Sequence, residues 1–233
     1  MEDNKTMQDY LFDFAYGEAL RDAINQQSFK GEKNYLYECE TGKNEVRTYI
    51  NAILNGEHPS FIDAEKEVEK QFNKFIKSQR RESNQVFSFG NTQKLINMTV
   101  KYIFISAYAQ SYEEFRQLFT DCHCPLDRRM AGTVRREFDK VDDESAQLIK
   151  DNNSEYYKVI NEDITWSKVN VTTYNCYQQM VRLLAEKENL IPIEYDFVKW
   201  GTSKSCAFAQ LYSVSNIFFF KRKGKVLRIN RKR

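Results

Sequence analysis

Glycine and proline are both scarce, 8 and 3 in 233 residues, which disfavours folds built from many tight turns and favours long helices. No run of 18 or more uncharged apolar residues occurs, so no membrane-spanning helix is expected. The start, MEDNKTMQDY, lacks the basic-then-apolar order of a secretory signal, and the expected compartment is the cytoplasm. Five cysteines, an odd number, beside only two histidines argue for a reducing interior rather than a disulfide scaffold. A glycine-rich phosphate loop with its lysine is missing, as are HExxH and GxSxG, which takes weight from several large enzyme classes.

The consecutive Cys122, His123 and Cys124 are poorly arranged for a metal, because adjacent side chains hardly converge on one ion and zinc sites repeat a pair two to four residues apart. No metal is expected there, and the run reads as a structural loop with one or both cysteines buried. Cysteine-nucleophile chemistry is equally poorly served: His58 stands alone beside Pro59, and His123 is flanked by both cysteines. Nothing in the sequence calls for a cofactor.

What is present is a chain with 41% apolar, 14% aromatic and 29% charged residues and a net charge of +2, suited to one domain or one large and one small. The expected division is a single helical domain over 1–220, with two lobes meeting near 85–130 as a variant, and a basic tail over 221–233. That tail, KRKGKVLRINRKR, holds eight basic residues and no acid, so the other 220 residues sum to about −6. Lys221, Arg222 and Lys223 are candidates for phosphate contact, although a solubilising tail explains them too. A short hairpin turning at Gly224 is an alternative for this end.

Hydrophobic spacing predicts a mainly α, multi-helical fold with a minor strand element near the C-terminus. Tyr10, Leu11, Phe14, Leu20 and Ile24 fit a helix over 7–24. Tyr35 to Tyr37 reads as a short strand or an irregular connection, and 46–54 as a helix. Ser60 is placed to cap a helix with the stripe Phe61, Ala64, Val68, Phe72, Phe75 and Ile76. In VFSFGNTQKLINMTVKYIFISAYA the apolar residues surround almost the whole circumference, interrupted by Lys94, Asn97 and Lys101 at i, i+3 and i+7. Such a helix belongs at the centre of the fold, with its polar stripe reaching a cavity or solvent. Asp127 is placed to cap the helix RRMAGTVRREF. Further helices are expected within 139–154 and over 174–187, and Pro192 opens either a last helix or an extended segment ending at Gly201.

Lys94 and Asp127 form the most coherent chemical pair. A lysine amine that is partly neutral can attack an electrophilic sugar carbon or carbonyl, while a nearby carboxylate stabilises positive charge and moves protons. A surface lysine and a helix cap account for the same two residues.

The order Gly90-x-x-x-Lys94 opening an apolar helix, then Pro125-x-Asp127 opening another, resembles the helix-hairpin-helix superfamily of base-excision DNA glycosylases, which includes enzymes removing 8-oxoguanine. The resemblance covers about residues 89–130. It implies double-stranded DNA as partner, Lys94 as the Schiff-base nucleophile, Asp127 as the assisting carboxylate, and Gly90, Asn91 and Thr92 in a hairpin that grips the DNA backbone. Arg128 and Arg129, with the tail, would contact phosphates. Phe87, Phe89, Trp166 and Trp200 are the aromatics available to sandwich a flipped base. The alternatives are a helical protein that binds nucleic acid without catalysis, and a protein-interaction module with an exposed aromatic patch.

Overall fold

The computed structural model describes residues 5–24, 34–79, 85–107 and 112–201, and the basic tail and its hairpin alternative lie outside them. Ten α-helices and two 3₁₀ turns make up the described residues, with no strand among them. They are α1 (Met7–Ile24), α2 (Glu40–Leu54), α3 (Phe61–Ser78), α4 (Phe89–Ala107), α5 (Tyr112–Leu118), α6 (Arg128–Phe138), α7 (Glu144–Asn152), α8 (Ser154–Val159), α9 (Val171–Lys187) and α10 (Pro192–Gly201). None is long and apolar enough to cross a membrane.

Local chemistry sets many of the helix starts. Ser60 accepts from the Asp63 N–H, Asp127 from Met130, Asp143 from Ala146 and Asn170 from Thr173, each cap contributing about 1 kcal/mol. Ser88 and Asn91 cap α4 reciprocally: Asn91 Oδ1 accepts from the Ser88 N–H at 3.2 Å and Ser88 Oγ from the Asn91 N–H at 3.3 Å. Gly56, at φ 79°, takes the chain out of α2 in a conformation that side chains resist. Two expectations change in detail. The 35–37 region is a 3₁₀ turn, Asn34–Glu38, and α2 begins at Glu40, six residues before the apolar spacing becomes regular.

Helix α4 is the central element, buried at every residue from Gly90 to Lys101. It packs against α1, α3 and the 3₁₀ turn Trp166–Lys168, while α9 gathers α6, α7, α8 and α10 around itself. The face of α1 turned inward is not the one its large residues mark. Tyr10 and Phe14 are 57% and 63% exposed, whereas Ala15, Ala19 and Ala23 line up with Phe12, Tyr16 and Leu20 in the core. Three small residues at four-residue spacing let the α1 backbone lie close to α4, and the bulky pair is left outside.

Three side-chain amides hold connecting segments as a β-partner would. Asn73 accepts from the Phe87 N–H at 2.8 Å and donates to its carbonyl oxygen at 2.9 Å. Gln178 does the same for Cys124, at 3.1 and 2.7 Å, and Gln93 for Leu126, at 3.3 and 3.1 Å. Buried loop backbone needs such partners, since an unpaired amide costs about 1–3 kcal/mol. The loop between α5 and α6 is fixed in this way just before Asp127.

Candidate functional site

Lys94 leaves α4 in its second turn and meets Asp127 at the N-terminus of α6, Nζ to Oδ2 at 2.9 Å. The other oxygen, Oδ1, accepts from the Met130 N–H at 2.9 Å, so one carboxylate both caps a helix and holds an ammonium. Lys94 is buried, but 24% of the Asp127 side chain is exposed, so the pair is reached from solvent on the carboxylate side. Burial opposes charge on Lys94, yet the charge of Asp127, its hydrogen bond, and the more distant Asp196 and Asp22 outweigh it and raise the lysine above its ordinary value. Burial likewise works against the Asp127 anion, but Lys94 and the Met130 amide win and lower its pKa. In this state the pair is an ammonium and a carboxylate.

Two helical turns further along α4, Lys101 pairs with Asp196 of α10. Its ammonium lies 4.8 Å from the Phe197 ring centroid and 5.3 Å from that of Trp200. Arg129 approaches the Trp200 ring at 5.5 Å. Burial raises the Asp196 pKa despite Lys101. The expected polar stripe of α4 is therefore present, but it does not run to solvent: each lysine is met by a carboxylate from another helix, and Asn97 donates to the Tyr174 hydroxyl at 2.7 Å. Lys101 and Asp196 were not singled out as a pair by sequence. The i, i+7 spacing of the lysines marked one half, but Asp196 lies 95 residues on from Lys101, with no local signal joining them.

The remaining candidates separate clearly. Trp166 is buried 6.0 Å from Lys94 Nζ, and Trp200 stands by Lys101 and Arg129. Phe87 is fully buried, stacked on Phe72 at 4.2 Å, and Phe89 meets Tyr174 edge-on at 5.3 Å, so both serve the core. Gly90, Asn91 and Thr92 form the buried first turn of α4. A Cβ on Gly90 would stand 2.2 Å from the Trp166 carbonyl oxygen, Asn91 Nδ2 donates to the Ala23 carbonyl at 2.7 Å, and Thr92 Oγ1 to that of Ser88 at 3.1 Å. In this conformation all three face protein and offer nothing to a phosphate. Arg128 and Arg129 are exposed; Arg128 also donates to the Glu162 carbonyl at 2.9 Å. Lys221, Arg222 and Lys223 lie outside the described residues.

The Cys122–Cys124 run is the structural loop expected of it. Both cysteines are buried, and burial pushes the Cys122 thiol up to about 12 and that of Cys124 well above its ordinary value, the opposite of an activated thiolate. His123 packs against Phe61 with the rings tilted and their centroids 4.6 Å apart, and pairs with the Tyr174 hydroxyl at 2.9 Å. Among the described residues no three metal-ligating side chains converge. Comparison with models of known protein families, with curated proteins and with solved structures finds no match.

Proposed function

We propose that this chain is a DNA glycosylase-like enzyme that excises a damaged base, 8-oxoguanine being the first candidate, with Lys94 as Schiff-base nucleophile and Asp127 as assisting carboxylate. The observation that carries the reading is the 2.9 Å contact between an amine and a carboxylate 33 residues apart, buried at the lysine and open at the aspartate. An amine nucleophile with a carboxylate at hydrogen-bond distance, placed to stabilise positive charge at the attacked carbon, is the geometry that covalent catalysis of this kind uses.

The chemistry follows from the pair. Lys94 attacks C1′ as the free amine, its proton lost to solvent, while the glycosidic bond breaks, its electrons leave with the base and the Asp127 carboxylate stabilises the positive charge building at C1′. The departing base takes a proton from the new C1′-bound nitrogen. The lone pair of that nitrogen then opens the C1′–O4′ bond, O4′ takes a proton from water, and an iminium is left on Lys94 beside the carboxylate. Trp200, half-buried beside the exposed Arg129, offers an aromatic face to a flipped heterocycle. Arg128 and Arg129 supply exposed positive charge beside the aspartate for the DNA backbone.

The test is borohydride trapping on a duplex containing 8-oxoguanine, beside an undamaged duplex and one with a preformed abasic site. A covalent adduct that needs both the lesion and Lys94, and is lost in Lys94→Ala, is the expected result. No adduct on either modified duplex, where a control glycosylase traps, overturns the reading. One observation favours the non-catalytic alternative: Asp127 already serves as a helix cap. That alternative predicts salt-sensitive duplex binding with no base release.

A further inference from the structure

Gln93 precedes the proposed nucleophile and is wholly buried. Its amide is used to capacity. Nε2 donates to the carbonyl oxygens of Gly90 and Leu126, both at 3.1 Å. Oε1 accepts from the Leu126 N–H and from Asn97 Nδ2, both at 3.3 Å. Two donors and two acceptor positions are all a primary amide possesses. Two of the four bonds close on Leu126, the residue immediately before Asp127. One turn of α4 thus supplies both the amine and the clamp that fixes where the carboxylate's chain enters α6.

The clamp has its own support. Asn97 is held by the Tyr174 hydroxyl at 2.7 Å, and Tyr174 by His123 Nδ1 at 2.9 Å. His123 belongs to the same loop as Leu126, so the chain of bonds leaves the loop and returns to it. Gln178 fixes Cys124 two residues upstream of Leu126, and the Tyr177 hydroxyl donates to the Pro125 carbonyl at 3.0 Å. Each of Cys124, Pro125 and Leu126 therefore has a backbone group tied to a buried side chain.

We propose that Gln93 is a positioning residue for Asp127, setting the carboxylate's place relative to Lys94 through its paired bonds to Leu126. This rests on the Schiff-base reading above. Gln93 does not reach substrate, and its contribution is to base departure, the step that uses the carboxylate.

The test compares two single-turnover reactions in the full chain. Base release from the damaged duplex uses Asp127, whereas borohydride trapping at a preformed abasic site needs the amine but no departing base. Gln93→Met keeps the volume and removes all four bonds. Base release is expected to fall on the order of 100-fold, the scale of a 1 Å misplacement, with abasic-site trapping within about threefold of wild type on the same scale. Equal loss in both reactions, or loss in neither, overturns the proposal. Gln93→Glu covers the case in which Gln93→Met fails to fold. Its ionised carboxylate has no proton for the carbonyls of Gly90 and Leu126, and a protonated one regains a donor. Base release relative to wild type is then expected to recover as pH falls, and a flat ratio overturns the proposal. Inactivity of the wild type on both duplexes overturns the underlying reading, and this inference with it.

Discussion

At the scale of single residues, the chain combines closely paired charges with buried titratable groups whose ionisation is suppressed. Asp127→Ala removes both a helix cap and the partner of a buried ammonium, and is expected to destabilise by about 3–5 kcal/mol. Lys94→Met leaves a carboxylate that still caps α6 and touches water, and is expected to cost less; urea unfolding of the two variants orders them. Two groups give stability an opposing pH dependence. Burial, and then the charge of Arg182, hold His123 down at about 3, so the unfolded chain binds the extra proton first. Its contribution is full above the ordinary histidine value and is lost as pH falls from about 6.5 towards 3. Glu65 behaves in the reverse sense: burial first, then neighbouring Glu69, push it up to about 8, so stability declines as pH rises from about 4.5 to 8. Glu65→Gln is expected to flatten that decline in denaturation curves recorded across the range, and an unchanged slope would show that Glu65 is ionised at neutral pH. The raised Lys94 also requires trapping to accelerate with pH through the alkaline range, measured as adduct formed per unit time.

At the scale of elements, close approach decides as much as apolar content. Gly90 packs where a Cβ would stand 2.2 Å from the Trp166 carbonyl oxygen and 2.6 Å from Ser167 Cα. Gly90→Ala must therefore push the 166–168 turn away from α4, at an expected cost of about 1–3 kcal/mol in thermal or urea unfolding. On α1, Phe14→Ser is expected to change stability by less than about 0.5 kcal/mol and Leu20→Ala to cost about 2–5 kcal/mol, the order opposite to side-chain size. The same case marks where sequence was legible. The stripe of α3, the encircling apolar pattern of α4 and the caps Ser60 and Asp127 depend on neighbours within one turn, and all are found in the fold. The inward face of α1 was not legible, because alanines carry little hydrophobic signal and their value lies in what they let approach. The Lys94–Asp127 contact followed from asking which helix starts a return loop could bring together. Lys101–Asp196 and the amide clamps depend on long-range register, which no local spacing encodes.

At the scale of the whole molecule, the nearly neutral total conceals a strongly basic C-terminal segment and an acidic remainder. Under the proposed reading, duplex affinity falls linearly with the logarithm of salt concentration, and Arg129→Ala is expected to lower that slope by about 1 if its guanidinium meets one phosphate. An unchanged slope would assign Arg129 to its contact with Trp200 alone. The α4 helix joins α1 to the elements gathered around α9, because its lysines are anchored by Asp127 at the start of α6 and Asp196 of α10.

The amide clamps have a consequence for how the connecting segments behave in time. Phe87, Cys124 and Leu126 lie outside the helices, yet each has its N–H bound to a side-chain carbonyl held by a helix. In heavy water these three backbone protons are expected to persist alongside those of the helices rather than vanish with those of the surface loops. The connection leading to Asp127 thus opens no more readily than the helices that grip it.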